Sequence, residues 1–129
     1  MYAIGETAEK SGVKTETIRF YERSGIVPSP KRSSNGQRIY QEEDISRLSF
    51  IRRCRDHGFS LPQAKEMLEL ASNETIPCEE VRAIAKSNLD DINQKIIELQ
   101  TISAILSSLV IECENSVGDC PIVDSMYGN

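Results

Sequence analysis

Apolar positions recur at helical spacing, three or four residues apart, over most of this chain. Ile4, Thr7 and Ala8 share one face of a first short run. Ile18, Tyr21 and Glu22 share one face of a second, which Thr15 is placed to cap. Ser11-Gly12-Val13 separates the two, and two short helices about a glycine turn predict a helix-turn-helix whose second helix can enter a DNA major groove. The period then changes. PSPKRSSNGQRIY, residues 28 to 40, opens with prolines that stop the helix, carries an Asn35-Gly36 pair tolerant of positive φ, and returns through Arg38-Ile39-Tyr40. That pattern predicts a β-hairpin wing.

Helical spacing resumes over residues 42 to 56 with Ile45, Leu48, Phe50 and Ile51, accompanied by the basic cluster Arg52-Arg53-Arg55 and ended by Gly58. Ser60 as N-cap with Pro62 in the first turn predicts a fourth helix, striped by Ala64, Met67, Leu68 and Leu70. After a connector at residues 73 to 77 comes the longest periodic stretch, from about Cys78 to Cys113. Leu89, Ile92, Ile96, Leu99, Leu106, Val110 and Cys113 follow alternating three- and four-residue steps, interrupted where the step falls on Ser103. A helix of ~35 residues spans roughly 50 Å, too long a seam for so small a monomer to cover, which predicts pairing with a second copy, antiparallel. Glu114 to Asp119 forms a loop, and Pro121 starts a last short helix ending near Tyr127.

The expected architecture is therefore mainly α: a winged helix-turn-helix with its connecting helices (1–72), a long antiparallel coiled-coil dimerisation helix (73–112), and a short C-terminal loop and helix (113–129).

Charge sharpens this division. The net charge is −5, but residues 1–60 hold 11 Lys+Arg against 8 Asp+Glu while the rest hold 4 against 12, so only the first half is expected to face phosphate. No continuous apolar run approaches the roughly 20 residues of a membrane span, and the N-terminus MYAIGETAEK lacks a signal-peptide pattern. A cytoplasmic protein without membrane attachment is expected, and its four cysteines then read as thiols or metal ligands rather than a disulfide framework.

The candidate DNA contacts are Lys14, Thr15, Thr17, Arg19 and Tyr21 on the second helix and Lys31, Arg32, Asn35, Arg38 and Tyr40 on the wing. Phe20 is expected to pack in the core. The sole histidine, His57, beside Gly58, suits a helix C-terminus better than a metal. Cys54, among Phe50 and Ile51, reads as a small buried residue. Cys113 and Cys120 bracket a six-residue loop that can bring both sulfurs onto one ion. Cys78 lies at the opposite end of the long helix, but an antiparallel dimer sets it against the partner's loop. A three-thiolate site shared between subunits follows, selecting soft ions such as Hg(II), Cd(II), Pb(II), Zn(II) or Cu(I). Asp119, Glu112 and Glu114 are possible oxygen donors. The alternative is a redox pair of Cys113 and Cys120. No convergent acid, base and nucleophile set points to an enzyme.

These motifs carry a resemblance. IGETAEKSGVKTETIRFYERSGIV, RSSNGQRIY, FIRRCRDHGFSLPQAKEML, CEEVRAIAKSNLDDINQKIIEL and CENSVGDCPIV together resemble the MerR family of metal-responsive transcriptional activators along nearly the whole chain. The resemblance implies a homodimer on double-stranded promoter DNA between elements held at an overlong spacing. Metal binding then underwinds and kinks the DNA so that RNA polymerase can use both. CEEVR and the Cys-Pro-Ile-Val after the loop look most like the mercury sensors. The short loop resembles cadmium and lead sensors, zinc sensors carry further ligands absent here, and copper-type members lack a cysteine where Cys78 stands. Hg(II) is the first expectation and Cd(II) or Pb(II) the second.

Overall fold

The computed structural model describes residues 1–128. In chain order its elements are α1 (Ile4–Ser11), α2 (Thr15–Arg23), β1 (Lys31–Arg32), β2 (Arg38–Ile39), α3 (Glu42–Asp56), α4 (Leu61–Ala71), α5 (Cys78–Asn115) and α6 (Pro121–Met126). The mainly helical expectation holds.

Gly12 ends α1 in the left-handed conformation at φ +77°, and its N–H donates to the Ala8 carbonyl at 2.9 Å. Arg52 of α3 lies across this turn, donating from Nε to the Ser11 carbonyl at 2.9 Å. A Cβ at Gly12 would stand 2.7 Å from that same Nε, so glycine is favoured here by the left-handed backbone, and any larger residue must also displace the Arg52 side chain. α1 buries Thr7 and Ser11, polar residues whose hydroxyls are used locally: Thr7 Oγ1 donates to the Ala3 carbonyl at 2.9 Å, and Ser11 Oγ accepts from the Val13 N–H at 3.2 Å. The expected cap at Thr15 is corrected by one residue. Lys14 occupies the N-cap position in extended conformation without a side-chain cap, and Thr15 is the first helical residue.

β1 and β2 pair antiparallel with Lys31 opposite Ile39 and Arg32 opposite Arg38. The turn departs from the Asn-Gly type the sequence suggests. Only Gly36 has positive φ, at +86°, while the Gly36 N–H reaches the Ser33 carbonyl at 3.0 Å and the Ser33 N–H the Gln37 carbonyl at 2.7 Å. This fits a type I turn closed by a left-handed glycine. Tyr2 adds a bridge to Tyr40, with backbone hydrogen bonds of 2.9 Å in both directions, so the N-terminus extends the wing.

α3 starts in a capping box between Gln41 and Asp44 and stops at Gly58, φ +85°. Ser60 caps α4 in a second box with Gln63. Ile18, Leu48, Ile51, Tyr40 and Ala64 form the centre of the core, joined by Val13, Tyr21, Val27 and Cys54; Phe50, Met67 and Leu68 pack at its edge.

Two compact units result, Met1–Asn88 and the residues from Leu89 onward. The first turns of α5 belong to the first unit, where buried Asn88 donates from Nδ2 to the His57 carbonyl at 3.4 Å. Beyond Asn88, α5 buries none of its residues, and Leu89, Ile96, Leu99, Leu106 and Val110 are all exposed, Leu99 to 64%. α5 contains neither proline nor glycine. No continuous apolar run in this helix reaches the length of a membrane span, as expected, yet its average composition is apolar. By length and composition it is apolar enough to cross a membrane, with an 18-residue window at mean hydropathy 1.6. Ser, Thr and Gln interrupt the run of apolar residues without lowering the average far, which hides it from a search for continuous runs.

Candidate nucleic-acid interface and thiol site

The amphipathic pattern of α2 decides which of its residues can meet DNA. Ile18, Tyr21 and Glu22 turn inward, leaving Lys14, Glu16, Arg19, Phe20 and Arg23 exposed and Thr15 and Thr17 half-buried. Two of the sequence-read DNA contacts are thereby corrected. Tyr21 is buried, and Tyr40 is 1% exposed with its hydroxyl committed to the Glu22 carboxylate at 3.1 and 3.2 Å. Both tyrosines complete the core because α2 and the wing close over it. Phe20 is the opposite correction: expected to pack, it is 45% exposed, its ring tilted against Tyr21 with centroids 6.1 Å apart.

Glu22 is the residue the sequence undervalued. It is buried, and it accepts from Tyr40 and from Arg38 at 2.8 Å, joining the second helix of the helix-turn-helix to the returning strand of the wing. Burial pushes its carboxyl above the ordinary value, opposed by the Tyr40 hydrogen bond and the Arg38 charge. Burial, then the Glu22 charge, raises Tyr40. Arg38 is thus a structural partner as well as a candidate phosphate contact. On the wing, Lys31, Arg32 and Asn35 are exposed. Arg32 donates to the Gly36 carbonyl at 2.8 Å, and Asn35 Oδ1 accepts from the Ser33 hydroxyl. No sequence signal marked the Tyr40–Glu22–Arg38 cluster, since its members lie up to 18 residues apart; only a buried charge on a helical stripe hinted at it.

The four cysteines are free thiols in distinct surroundings. Cys54 is buried in the core, and burial raises its pKa, in keeping with a packing residue. His57 sits at the C-cap of α3 with Nδ1 2.7 Å from the Arg53 carbonyl, as a helix-terminal residue does. Cys78 is exposed at the first residue of α5. Cys113, near the end of α5, and Cys120, the residue before α6, are brought together. The Cys113 thiol is raised first by desolvation, then by the charge and hydrogen bond of Cys120, and last by Glu114. Among the described residues no group of three His, Cys, Asp or Glu side chains gathers to hold an ion, so Glu112, Glu114 and Asp119 do not complete a site with this pair.

Residues 2–71 match the family described as MerR HTH family regulatory protein, and residues 45–109 the one described as MerR, DNA binding. The chain is 35% identical to a mercuric resistance operon regulatory protein of Bacillus cereus, over 97% of this chain and 96% of the relative. Its fold is similar to that of the transcription regulator PbrR691 from Ralstonia metallidurans CH34 in complex with lead(II), at a TM-score of 0.83 and 33% identity over 98% of this chain and 99% of the other. It is also similar to the dual function transcriptional regulator MerR of Bacillus megaterium MB1 in complex with mercury(II). That comparison gives a TM-score of 0.72 and 30% identity, covering 98% and 99% of the two chains.

Proposed function

The chain belongs to the MerR family of helix-turn-helix regulatory proteins, and from that premise we propose that it is a metal-responsive transcriptional regulator acting as a homodimer on promoter DNA. α2 enters the major groove, offering Lys14, Thr15, Thr17 and Arg19. The wing lays Lys31, Arg32, Asn35 and the solvent side of Arg38 along the phosphates. A soft ion is held by Cys113 and Cys120 of one subunit and Cys78 of the other, with Hg(II) preferred, Cd(II) or Pb(II) next, and Zn(II) or Cu(I) after them.

The observation that carries this reading is the juxtaposed pair Cys113 and Cys120, with no third donor gathered around it among the described residues of the same chain. Two protein sulfurs suffice for a linear ion, Cu(I) or Hg(II), whereas Cd(II) and Pb(II) take further ligands, and a third thiolate strengthens the hold on Hg(II) against competing thiols. Exposed Cys78, at the other end of an apolar helix that demands a partner, is the available thiol. The pair also permits a redox reading, since two adjacent thiols can form a disulfide.

Bound at this place, a soft ion supplies a cross-link between subunits. The protein's part is to convert that link into a changed angle between two DNA-binding heads. The operator is then deformed so that RNA polymerase meets both promoter elements in the cytoplasm. The test is titration of the reduced protein with each ion against a competing thiol, wild type beside Cys78→Ser. Tight binding of one divalent ion per loop, lost in the variant, supports the shared three-sulfur site. If Cu(I) binds most tightly and the variant binds it equally well, the site is the two-cysteine loop alone.

A further inference from the structure

An exposed aromatic ring on the face of α2 that also carries charged residues calls for a partner. Phe20 lies one turn from Glu16 and Thr17 on one side and Arg23 on the other, with Arg19 adjacent. Nearly half of it is exposed although the core is well supplied with apolar groups. The neighbouring Ile18 and Tyr21 are buried, so the outward direction of Phe20 follows from the helical period rather than from a failure of packing. Three exposed cations, Lys14, Arg19 and Arg23, belong to the same helix and its N-cap. Such surroundings suit a polyanion, and the remaining feature of an operator that an aromatic ring recognises is the thymine C5 methyl on the major-groove wall.

We propose that Phe20 is a specificity-determining residue that packs on a thymine methyl in each half-site of the operator. The inference rests on the DNA-binding reading above and deepens it. Arg19 and Lys14 hold the helix by charge, which any sequence satisfies. Phe20 adds a contact that only one base offers in the major groove.

The experiment starts from a duplex recovered by selection of a random-sequence pool on the full-length protein. Each thymine of that duplex is then replaced in turn by uracil, which removes the C5 methyl and leaves the pairing edge intact. Wild type should lose about fourfold in affinity at one thymine per half-site, the worth of one buried methyl group. Phe20→Ala should bind the thymine duplex more weakly and be indifferent to that replacement, while Phe20→Leu retains part of the discrimination. An unchanged thermal melt shows that the variants fold. The proposal is overturned if no uracil replacement affects wild type, or if Phe20→Ala still distinguishes the two bases. Failure to recover any preferred duplex would instead overturn the DNA-binding reading itself.

Discussion

Glu22 shows how a single residue links the two parts of the DNA-binding head. Its carboxyl is raised above the ordinary value by burial, so the folded protein holds that proton more tightly than the unfolded chain. The stability it contributes is therefore fully present below the unfolded carboxyl pKa and is lost as pH rises through the folded one. Glu22→Gln keeps hydrogen-bonding capacity toward Tyr40 and Arg38 without titrating. Urea unfolding of both proteins at about pH 7 and about pH 5 should show wild type gaining on the variant at the lower pH. A difference that is flat, or that runs the other way, would remove the buried-carboxylate account. Single residues also mark the limit of what the sequence discloses. His57 and Cys54 were legible because a helix end and an apolar stripe are local signals. Phe20, Tyr21 and Tyr40 were not, because an aromatic at helical or strand spacing belongs equally to a core or to a surface. The choice is made by segments distant along the chain.

At the scale of elements, the turn of the helix-turn-helix is clamped twice, by the φ of Gly12 and by Arg52. Gly12→Ala should cost about 1–2 kcal/mol for the left-handed conformation, and more for the crowding against Arg52. In calorimetry this lowers Tm by several degrees. Adding Arg52→Ala to Gly12→Ala should relieve the crowding but not the φ strain, so the double variant is more stable than simple addition predicts. Strict additivity would mean that Arg52 simply swings away. Helix limits were legible wherever a chemical signal sits at the end itself: Ser60 with Pro62, Pro121, Gly58. The wing turn was half legible, since Gly36 takes the positive φ but Asn35 does not. The bridge from Tyr2 to Tyr40 joins strand positions that no local pattern connects.

For the whole molecule, the uncovered face of α5 is the dominant fact. Each leucine-sized side chain removed from water contributes about 1.5–3 kcal/mol, so Leu99→Lys with Leu106→Lys should turn a dimer into a monomer in sedimentation equilibrium. An unchanged mass would place the partner contact elsewhere. A mixed dimer probes the site directly. One subunit carries Cys78→Ser, the other Cys113→Ser with Cys120→Ser. If the ligands come from both subunits, the mixed dimer keeps one complete site and binds one equivalent of metal tightly, although neither parent homodimer does. If they come from one subunit, the mixture binds none. The seam and its heptad-like steps were legible because the 3.5-residue period is written into the sequence. What covers the seam was an inference from length alone.

Between Cys78 and Asn115 there is neither proline nor glycine to break the helix. Length and orientation are therefore locked together along α5. One residue inserted between Asn88 and Cys113 turns everything after it by about 100°, whereas seven carry it through nearly two full turns. α5 is thus a ruler graduated in angle as well as in distance. Its permitted changes of length form a discrete series, with insertions of about seven, eleven or eighteen residues keeping the angle to within about 20° and other short ones not.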